Sequence, residues 1–405
     1  MQSPQPAPPL DSSLFDLEGR LWLAHCMEGP MTRAAGEALA QVVRKELRPW
    51  EMRWEEDFLG VQAQLRQACA ELLKADPSDI SLTHSTSAGL ITVASGFPWK
   101  PGDEVLLPLG EFPSNFMPWK ALGARGVVCR EVALWAGQKS GPDALHSAPP
   151  GASDPDLESV ILGAIGPKTR MVGLSWARFQ DGIKLDLERI AEGCQARGVH
   201  LVVDGIQGMG THTPSLKGVS AFASAGHKGL LGPTGQGFLW THPDFRPLLA
   251  PTGTWLSRPS AFSQGGNQAQ DPELWAADGR RLEPGGASVL GCAALNQSVR
   301  VLLQADVGRI ESHVSQLQTL FLQALREDPT WEPEASRLLG LLEANRLGPT
   351  LCFHHGALGL ARLEKLVARG LECQITTSIR EGYLRIAFHG WHSAQDVERA
   401  LEWLS

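Results

Sequence analysis

At 405 residues the chain is longer than a typical single domain, so two domains are expected, and a hydrophobic content of 43% is enough for a full core. The formal net charge of −8 argues against nucleic acid or an anionic membrane surface as the main partner. No apolar run approaches the length of a membrane span. The seven cysteines are scattered and form no CxxC pair, which indicates a cytoplasmic location and gives no support for a structural metal site.

Residues 1–14 open with a stretch rich in Pro, Gln and Ser that lacks the basic start and apolar segment of a signal peptide, and this composition predicts a disordered tail. Strand-like and helix-like patterns then alternate through the middle of the chain. Strands are predicted at 80–83, 104–109, 171–175 and 199–203, and helices at 88–95 and 185–197. This alternation predicts an α/β fold with a parallel sheet, in which ligands collect beyond the carboxyl ends of the strands.

The pattern changes after about residue 285. A long helix is predicted over 289–325, followed by a strand at 348–353, a helix at 361–369, strands at 374–379 and 384–388, and a last helix at 394–404. This order predicts a second, smaller α/β domain at the C-terminus.

Lys228 and Asp204 form the most informative pair in the sequence. An apolar run at 201–203 ends in Asp204, and about two dozen residues later Lys228 precedes a glycine-rich stretch. A lysine that forms a Schiff base and an acid that holds a pyridinium nitrogen are the two protein groups that pyridoxal phosphate chemistry needs most. A lone lysine is usually a solvated surface residue and a strand-terminal aspartate is often a cap, but together at this spacing they indicate a pyridoxal phosphate site.

This arrangement resembles the class V aminotransferase family of pyridoxal phosphate enzymes, in the branch of cysteine desulfurases, cystine lyases and isopenicillin N epimerase. The resemblance runs from about Trp22 to the C-terminus. It implies an aspartate-aminotransferase-like fold of type I, with a large cofactor domain over 30–285 and a small domain built from 15–29 and 286–405. It also implies a homodimer that takes a small α-amino acid as substrate.

The family pattern assigns four residues around the cofactor ring and its phosphate. Asp204 is expected to keep the pyridinium nitrogen protonated, and Gln207 is expected to donate to the phenolic oxygen. Phe112 matches the position that stacks on the ring in kynureninase-like members, where desulfurases carry histidine. His227 has a family counterpart near the phosphate, although a neutral packed histidine is the alternative.

Small polar residues are the expected phosphate ligands. Ser85, Thr86 and Ser87 lie between a predicted strand and a predicted helix, where backbone N–H groups and the helix dipole bind phosphate. Their hydroxyls can equally act as N-caps, and the two roles are compatible. Ser224 lies one residue before the serine position of the family. Gly286 replaces a threonine that in the family reaches the phosphate of the neighbouring subunit, and its backbone N–H can still serve.

The substrate end of the site is assigned to Arg385. This arginine lies in an alternating strand pattern and matches the family residue that clamps the substrate α-carboxylate. Arg380 is a rival candidate for the same role. His25 corresponds to a segment near the substrate mouth, where it either touches substrate or only packs, and the reactivity of the neighbouring Cys26 stays open.

Cysteine placement bears on which reaction is catalysed. Desulfurases of the family need a mobile nucleophilic cysteine roughly fifteen residues before the carboxylate arginine, where this chain has Gly370. The nearest cysteine, Cys373, is interpreted as a core thiol in a strand. The sequence therefore favours transamination, β-elimination or epimerisation, each started by Lys228 as the base at Cα, without choosing among them. A cysteine desulfurase or selenocysteine lyase is the alternative, and a catalytically silent binding protein is disfavoured because Lys228 and Asp204 are both present.

Overall fold

The computed structural model describes residues 7–138, 156–259, 275–354, 356 and 358–405. The strands are β1 (Leu21–Trp22), β2 (Ile80–Thr83), β3 (Glu104–Pro108), β4 (Val128–Val132), β5 (Thr169–Ser175), β6 (His200–Asp204), β7 (Ala221–Ala225), β8 (Gly237–Thr241), β9 (Thr350–His354), β10 (Ile375–Thr376), β11 (Ser378–Arg380) and β12 (Tyr383–Ala387). The helices are α1 (Arg33–Glu46), α2 (Val61–Leu73), α3 (Thr86–Gly96), α4 (Pro113–Ala121), α5 (Leu157–Gly163), α6 (Leu187–Gln195), α7 (Val289–Ala305), α8 (Val307–Leu325), α9 (Glu332–Glu343), α10 (Leu360–Glu372) and α11 (Ala394–Leu404). Within the described ranges, none of these helices is long and apolar enough to cross a bilayer.

The largest sheet has seven strands in the order β2-β8-β7-β6-β5-β3-β4. Strands β7, β6, β5, β3 and β4 pair in parallel, whereas β8 pairs antiparallel with β7 and with β2. The predicted α/β fold is therefore confirmed. Because β2 and β7 both run opposite to β8, the carboxyl end of β2 lies at the same edge of the sheet as those of β3, β5, β6 and β7.

Apolar side chains cover both faces of this sheet. In β6, Leu201 and Val203 pack into one core, and Val202 packs into a second core on the opposite face. The alternation arises because successive side chains of a strand point to opposite faces. Burial of both faces is typical of parallel sheets with helical crossovers, and it leaves the strand ends as the place for polar groups.

The C-terminal part of the chain contains a three-stranded antiparallel sheet in the order β11-β12-β9. Strand β1, near the N-terminus, pairs in parallel with β10 of this part. In addition, the N–H of Ala387 donates to the carbonyl oxygen of Leu23 across 2.9 Å. The segment that follows β1 is thus held against the C-terminal part, while the domain boundaries at 29/30 and 285/286 stay predictions.

The disordered tail expected over 1–14 is wrong for the part that the structure describes. Residues 1–6 lie outside the described ranges, but Leu10 is buried and its N–H donates to the carbonyl oxygen of Gly390 across 3.0 Å. A short 3₁₀ helix, Ser12–Leu14, follows and is capped by the side chain of Asp11. Leu10 and Phe15 are buried in the core and hold this segment in place, although its Pro-rich composition predicts disorder.

Two predictions for the C-terminal part also need correction. The helix predicted over 289–325 is broken at Asp306, which has φ of 64° and whose side chain accepts the N–H of Gly308 to cap α8. Cys373 is not a core thiol in a strand but an exposed residue at the C-terminal end of α10. The chain there turns through Gln374 at φ of 59°, which ends the helix before the short strand β10 begins.

Candidate active site

A cavity of about 320 Å³ lies at the carboxyl edge of the large sheet. It brings together most of the predicted site residues with several others: Cys26, Met27, Ser85, Thr86, Ser87, Phe112, Ser114, Phe179, Asp204, Ile206, Gln207, His227, Lys228, Arg380 and Arg385. The volume is at the lower end of the range for ligand cavities in proteins, which suits a small molecule rather than a peptide.

Neighbouring strands deliver the central residues of this cavity. Asp204 is the last residue of β6, Lys228 follows β7, and Phe112 follows β3. Gly205 directly after Asp204 has no space for a side chain, because a Cβ there would lie 1.9 Å from the ring of Phe222. The backbone N–H of Ile206 donates to the Asp204 carboxylate across 3.0 Å, and this hydrogen bond orients the carboxylate at the strand end.

Burial shifts the pKa values of the two groups that the sequence ranked first. Burial raises the pKa of Asp204 to about 6, partly offset by the backbone N–H of Ile206 and by the positive charge of Lys228. Burial likewise lowers the pKa of Lys228, and the nearby Asp204 and Cys26 oppose this effect. A lower pKa makes the neutral amine, which is the nucleophilic and basic form, easier to reach.

The start of α3 forms the phosphate end of the cavity. Ser85 is the N-cap, and its hydroxyl already accepts the N–H of Ala88 across 3.1 Å. The hydroxyl of Ser87 donates to that of Ser114 across 2.8 Å. The Thr86 hydroxyl, by contrast, is buried without a partner in the described chain. Thr86 is consequently the hydroxyl of this group most available to a ligand.

Two phenyl rings and an amide lie near the centre of the cavity. Phe112 and Phe179 pack edge to face with their centroids 5.1 Å apart, and the Nζ atom of Lys228 is 5.8 Å from the centroid of the Phe112 ring. Gln207 donates one amide hydrogen to the carbonyl oxygen of Cys26 across 3.2 Å, so its second hydrogen remains for another acceptor. Phe112 is thus placed to face a planar ring held beside Lys228.

The opposite end of the cavity carries the arginines. Arg385 is buried, and its Nε–H donates to the hydroxyl of Ser378 across 3.0 Å. That bond orients the guanidinium while leaving its terminal amino groups for a carboxylate. The Cys26 sulfur lies 3.9 Å from the same Ser378 hydroxyl, so this thiol borders the carboxylate position.

Three of the predicted residues are not brought into the cavity. The ring of His25 is buried against His389, with centroids 5.1 Å apart, so the packing alternative describes its position. Ser224 is fully buried within β7, and its hydroxyl donates to the carbonyl oxygen of Ala225. Gly286 lies beside Phe58, outside the cavity of its own chain, and a contact with the cofactor of a second subunit stays a prediction.

Sequence reasoning missed Phe179 and Ser114 as cavity residues. Phe179 follows β5 by a few residues, and Ser114 follows Phe112 at the start of α4. Both lie past strand ends at the same edge as Asp204, so the strand-end rule that found Asp204 could have found them. Neither residue type carries a chemical signal by itself, which explains the omission.

The residues present fit pyridoxal 5'-phosphate. Among the described residues, no cation makes a hydrogen bond to the buried Asp204 carboxylate, which suits a pyridinium nitrogen. The Thr86 hydroxyl at a helix start, which has no partner there either, suits a phosphate. Lys228 in the same cavity supplies the amine. The ring Nδ1 of His227 is also buried and has no partner in the described parts of the chain, which agrees with a role beside the phosphate.

The family model described as Aminotransferase class-V matches residues 53–399. The chain therefore belongs to the class V aminotransferase family, whose members are enzymes that use pyridoxal 5'-phosphate.

Two curated relatives show the range of reactions in the family. The chain is 28% identical over 256 residues to a probable cysteine desulfurase of Methanothermobacter thermautotrophicus, covering 62% of this chain and 58% of that relative, which is less than two thirds of its length. It is 28% identical over 296 residues to isopenicillin N epimerase of Streptomyces clavuligerus, covering 71% of this chain and 70% of that protein.

Among solved structures, the cystine C–S lyase C-DES in complex with its product cysteine persulfide matches with a TM-score of 0.78 at 24% identity. The match covers 95% of this chain and 97% of that one. A mutant of the same lyase with glycine linked to the cofactor matches with a TM-score of 0.79 at 23% identity, over 97% and 98% of the two chains. These matches confirm the fold predicted from the sequence.

Proposed function

We propose that this chain is an enzyme that acts at the Cα of a small α-amino acid, with Lys228 as the residue that binds the cofactor covalently and moves the Cα proton. The observation that carries the proposal is the sharing of one cavity by Lys228, Asp204 and Arg385. In this arrangement the covalent lysine, the acid for the ring nitrogen and a cation for the substrate carboxylate face a common space.

Each of the three residues has a separate task. Arg385 orients the substrate by holding its carboxylate, because a guanidinium fixed at Nε presents two parallel donors. Lys228, whose pKa burial lowers, accepts the Cα proton once its amine is released. When bound, the cofactor supplies the electron sink that makes this proton removable. Asp204 would maintain this electron sink by keeping the ring nitrogen protonated.

Removal of the Cα proton is the first step shared by transamination, β-elimination and epimerisation. The test is to incubate the cofactor-loaded protein in D₂O with the common amino acids and cystine, and to follow Cα deuteration by NMR. A keto acid without free ammonia then indicates transamination, and a keto acid with free ammonia indicates β-elimination. A D-amino acid indicates epimerisation. Absence of both Cα deuteration and all of these products with every amino acid tested, by protein with full cofactor content, would overturn the proposal.

Cysteine desulfuration is the second candidate, and the position of Cys26 favours it. This buried thiol lines the cavity near Lys228 and borders the carboxylate position of Arg385. Its thiolate would form an S–S bond with the substrate sulfur as the Cβ–S bond breaks. The bonding electrons pass to Cβ, which gains a proton, so that alanine leaves and a persulfide remains on Cys26. Release of alanine from cysteine, measured by amino-acid analysis, tests this candidate.

A homodimer in the cytoplasm completes the proposal. An apolar groove of about 590 Å³ runs between α3 and α4, where Ile91 and Met117 are exposed, and it shares Ser87 and Ser114 with the cofactor cavity. All seven cysteines are free, which suits a reducing compartment. Light scattering should give a dimer mass that Met117→Glu lowers and that Leu360→Glu, an exposed change on α10, leaves unchanged. A monomeric parent protein would contradict the dimer.

A further inference from the structure

Two arginines project from one face of one hairpin into the cavity. In the antiparallel pair of β11 and β12, Ser378 lies opposite Arg385 and Arg380 lies opposite Tyr383. Directly opposed residues share a face of a sheet, and so do residues two apart in a strand. Arg380 and Arg385 are therefore diagonal neighbours on the same face, with Cα atoms on the order of 7–8 Å apart. Both line the cavity.

The two guanidinium groups differ in their surroundings. Arg385 is buried and tied to Ser378, which makes it the fixed cation for the α-carboxylate. Arg380 is exposed, and among the described residues it forms no ion pair. Its guanidinium carbon lies 5.5 Å from the centroid of the Phe112 ring, so the aromatic face holds the cation at the edge of the cavity. The Arg380 charge is thus directed to the cavity without an anionic partner among the described residues.

The charges around the cavity leave Arg380 unmatched. Asp204 has the ring nitrogen as its partner, the start of α3 with Thr86 faces the phosphate, and Arg385 faces the α-carboxylate. Lys228 is taken up by the cofactor. Of the cations among the described residues that line the cavity, Arg380 is the one without an assigned anionic partner. It lies on the same hairpin as the carboxylate site, beside the Phe112 ring.

We propose that Arg380 binds a second anionic group on the substrate, so that the enzyme prefers an α-amino acid whose side chain ends in a carboxylate. This inference rests on the proposed function, because it requires Arg385 to hold the α-carboxylate. The small volume of the cavity excludes a peptide-sized substrate, and the diagonal offset of the two arginines matches two acidic groups on one short carbon chain.

The test compares amino acids that differ in side-chain charge but hardly in shape. The holoenzyme is titrated with glutamate against glutamine and with aspartate against asparagine, and the Kd of each is measured from the change in the cofactor absorption spectrum. For at least one pair, we expect the Kd of the acid to be 10-fold or more lower than that of its amide. This difference should shrink as salt is added, because Arg380 is exposed. Arg380→Gln should bring the ratio of the two Kd values to about one, whereas the matched control Arg385→Gln should weaken both members alike.

The outcomes separate this inference from the proposed function. If mass spectrometry after borohydride reduction shows that the cofactor is not linked to Lys228, the proposed function itself is wrong. Protein with linked cofactor that binds each acid and its amide equally, before and after Arg380→Gln, overturns only the inference. Loss of cofactor affinity on Arg380→Gln, measured by equilibrium dialysis, also overturns it, because Arg380 would then serve the cofactor phosphate.

Discussion

The Nε2–H of His389 donates to the carbonyl oxygen of Gly229, the residue that follows Lys228, across 2.9 Å. The tautomer is fixed because Nδ1 of the same ring accepts the N–H of Gly390 across 2.7 Å. His392 is arranged in the same way, with Nδ1 accepting the N–H of His389 and Nε2 donating to the carbonyl oxygen of Trp22. Two buried neutral histidines thus connect the segment after β12 to the lysine loop and to the N-terminal strand.

His389→Ala should lower the free energy of unfolding by about 1–3 kcal/mol, because it leaves the buried carbonyl oxygen of Gly229 without its donor. His389→Gln retains a donor group and should recover part of the loss. Urea unfolding followed by Trp fluorescence measures both variants, and His242→Ala, at a partly exposed site, is the control. Equal stability of His389→Ala and the parent protein would show that the Gly229 bond contributes nothing.

The buried histidines should also make the protein sensitive to acid. Burial lowers the pKa of His389 to about 3 and that of His392 to about 4, whereas an unfolded histidine has a pKa of about 6.5. The unfolded state therefore binds protons first as the pH falls. Their stabilisation is complete above about pH 6.5 and is lost progressively towards about pH 4 for His392 and about pH 3 for His389, by at most about 1.4 kcal/mol per pH unit for each histidine. Urea unfolding at about pH 7.5 and about pH 5 checks this, and His389→Gln should reduce the slope.

Lys228→Ala should abolish covalent attachment of the cofactor, because Lys228 is the lysine that lines the cavity with Asp204 and Arg385 among the residues that the structure describes. The parent protein should be yellow as purified, since the chromophore belongs to the cofactor. Borohydride reduction followed by peptide mass spectrometry should locate the added mass on Lys228 of the parent. A mutant that keeps covalent cofactor after the same treatment would identify another lysine.

Asp204→Asn should still bind the cofactor but lose about 10²-fold or more in kcat, equivalent to about 3 kcal/mol of barrier. The amide preserves a hydrogen bond to the ring nitrogen, whereas the charge that stabilises its protonated form is gone. Burial raises the pKa of Asp204 to about 6, so the acid is still mostly ionised at neutral pH and can hold a proton on the ring nitrogen through its charge. Steady-state kinetics with equilibrium dialysis of the cofactor test this, and near-full activity would mean that another acid acts.

The main elements of the fold and the centre of the site could be predicted because they follow local rules. Asp204 and Phe112 lie where parallel strands end, and Thr86 lies at a helix start, so spacing alone places them at one edge. The break at Asp306 could not be predicted, because the apolar helical pattern continues across it and only the left-handed backbone ends α7. The packing of His25 against His389 joins segments far apart in the chain, which no local pattern records.

Cys26→Ser and Cys373→Ser are a matched pair that tests which thiol matters. Cys373 lies twelve residues before Arg385, is exposed at the end of α10 and does not line the cavity, whereas Cys26 is buried and lines it. We expect Cys373→Ser to leave turnover of the true substrate within a few-fold.

If the enzyme releases alanine from cysteine, Cys26→Ser should abolish that release while the cofactor stays bound, because only a thiolate beside the carboxylate site can reach the substrate sulfur. If the reaction is instead a transamination, β-elimination or epimerisation, Cys26→Ser should change KM more than kcat, since Cys26 then only borders the substrate. Alanine release measured together with persulfide labelling separates the two cases. A folded, cofactor-loaded Cys373→Ser protein without activity would contradict both, and would show that the end of α10 moves to bring Cys373 to the substrate.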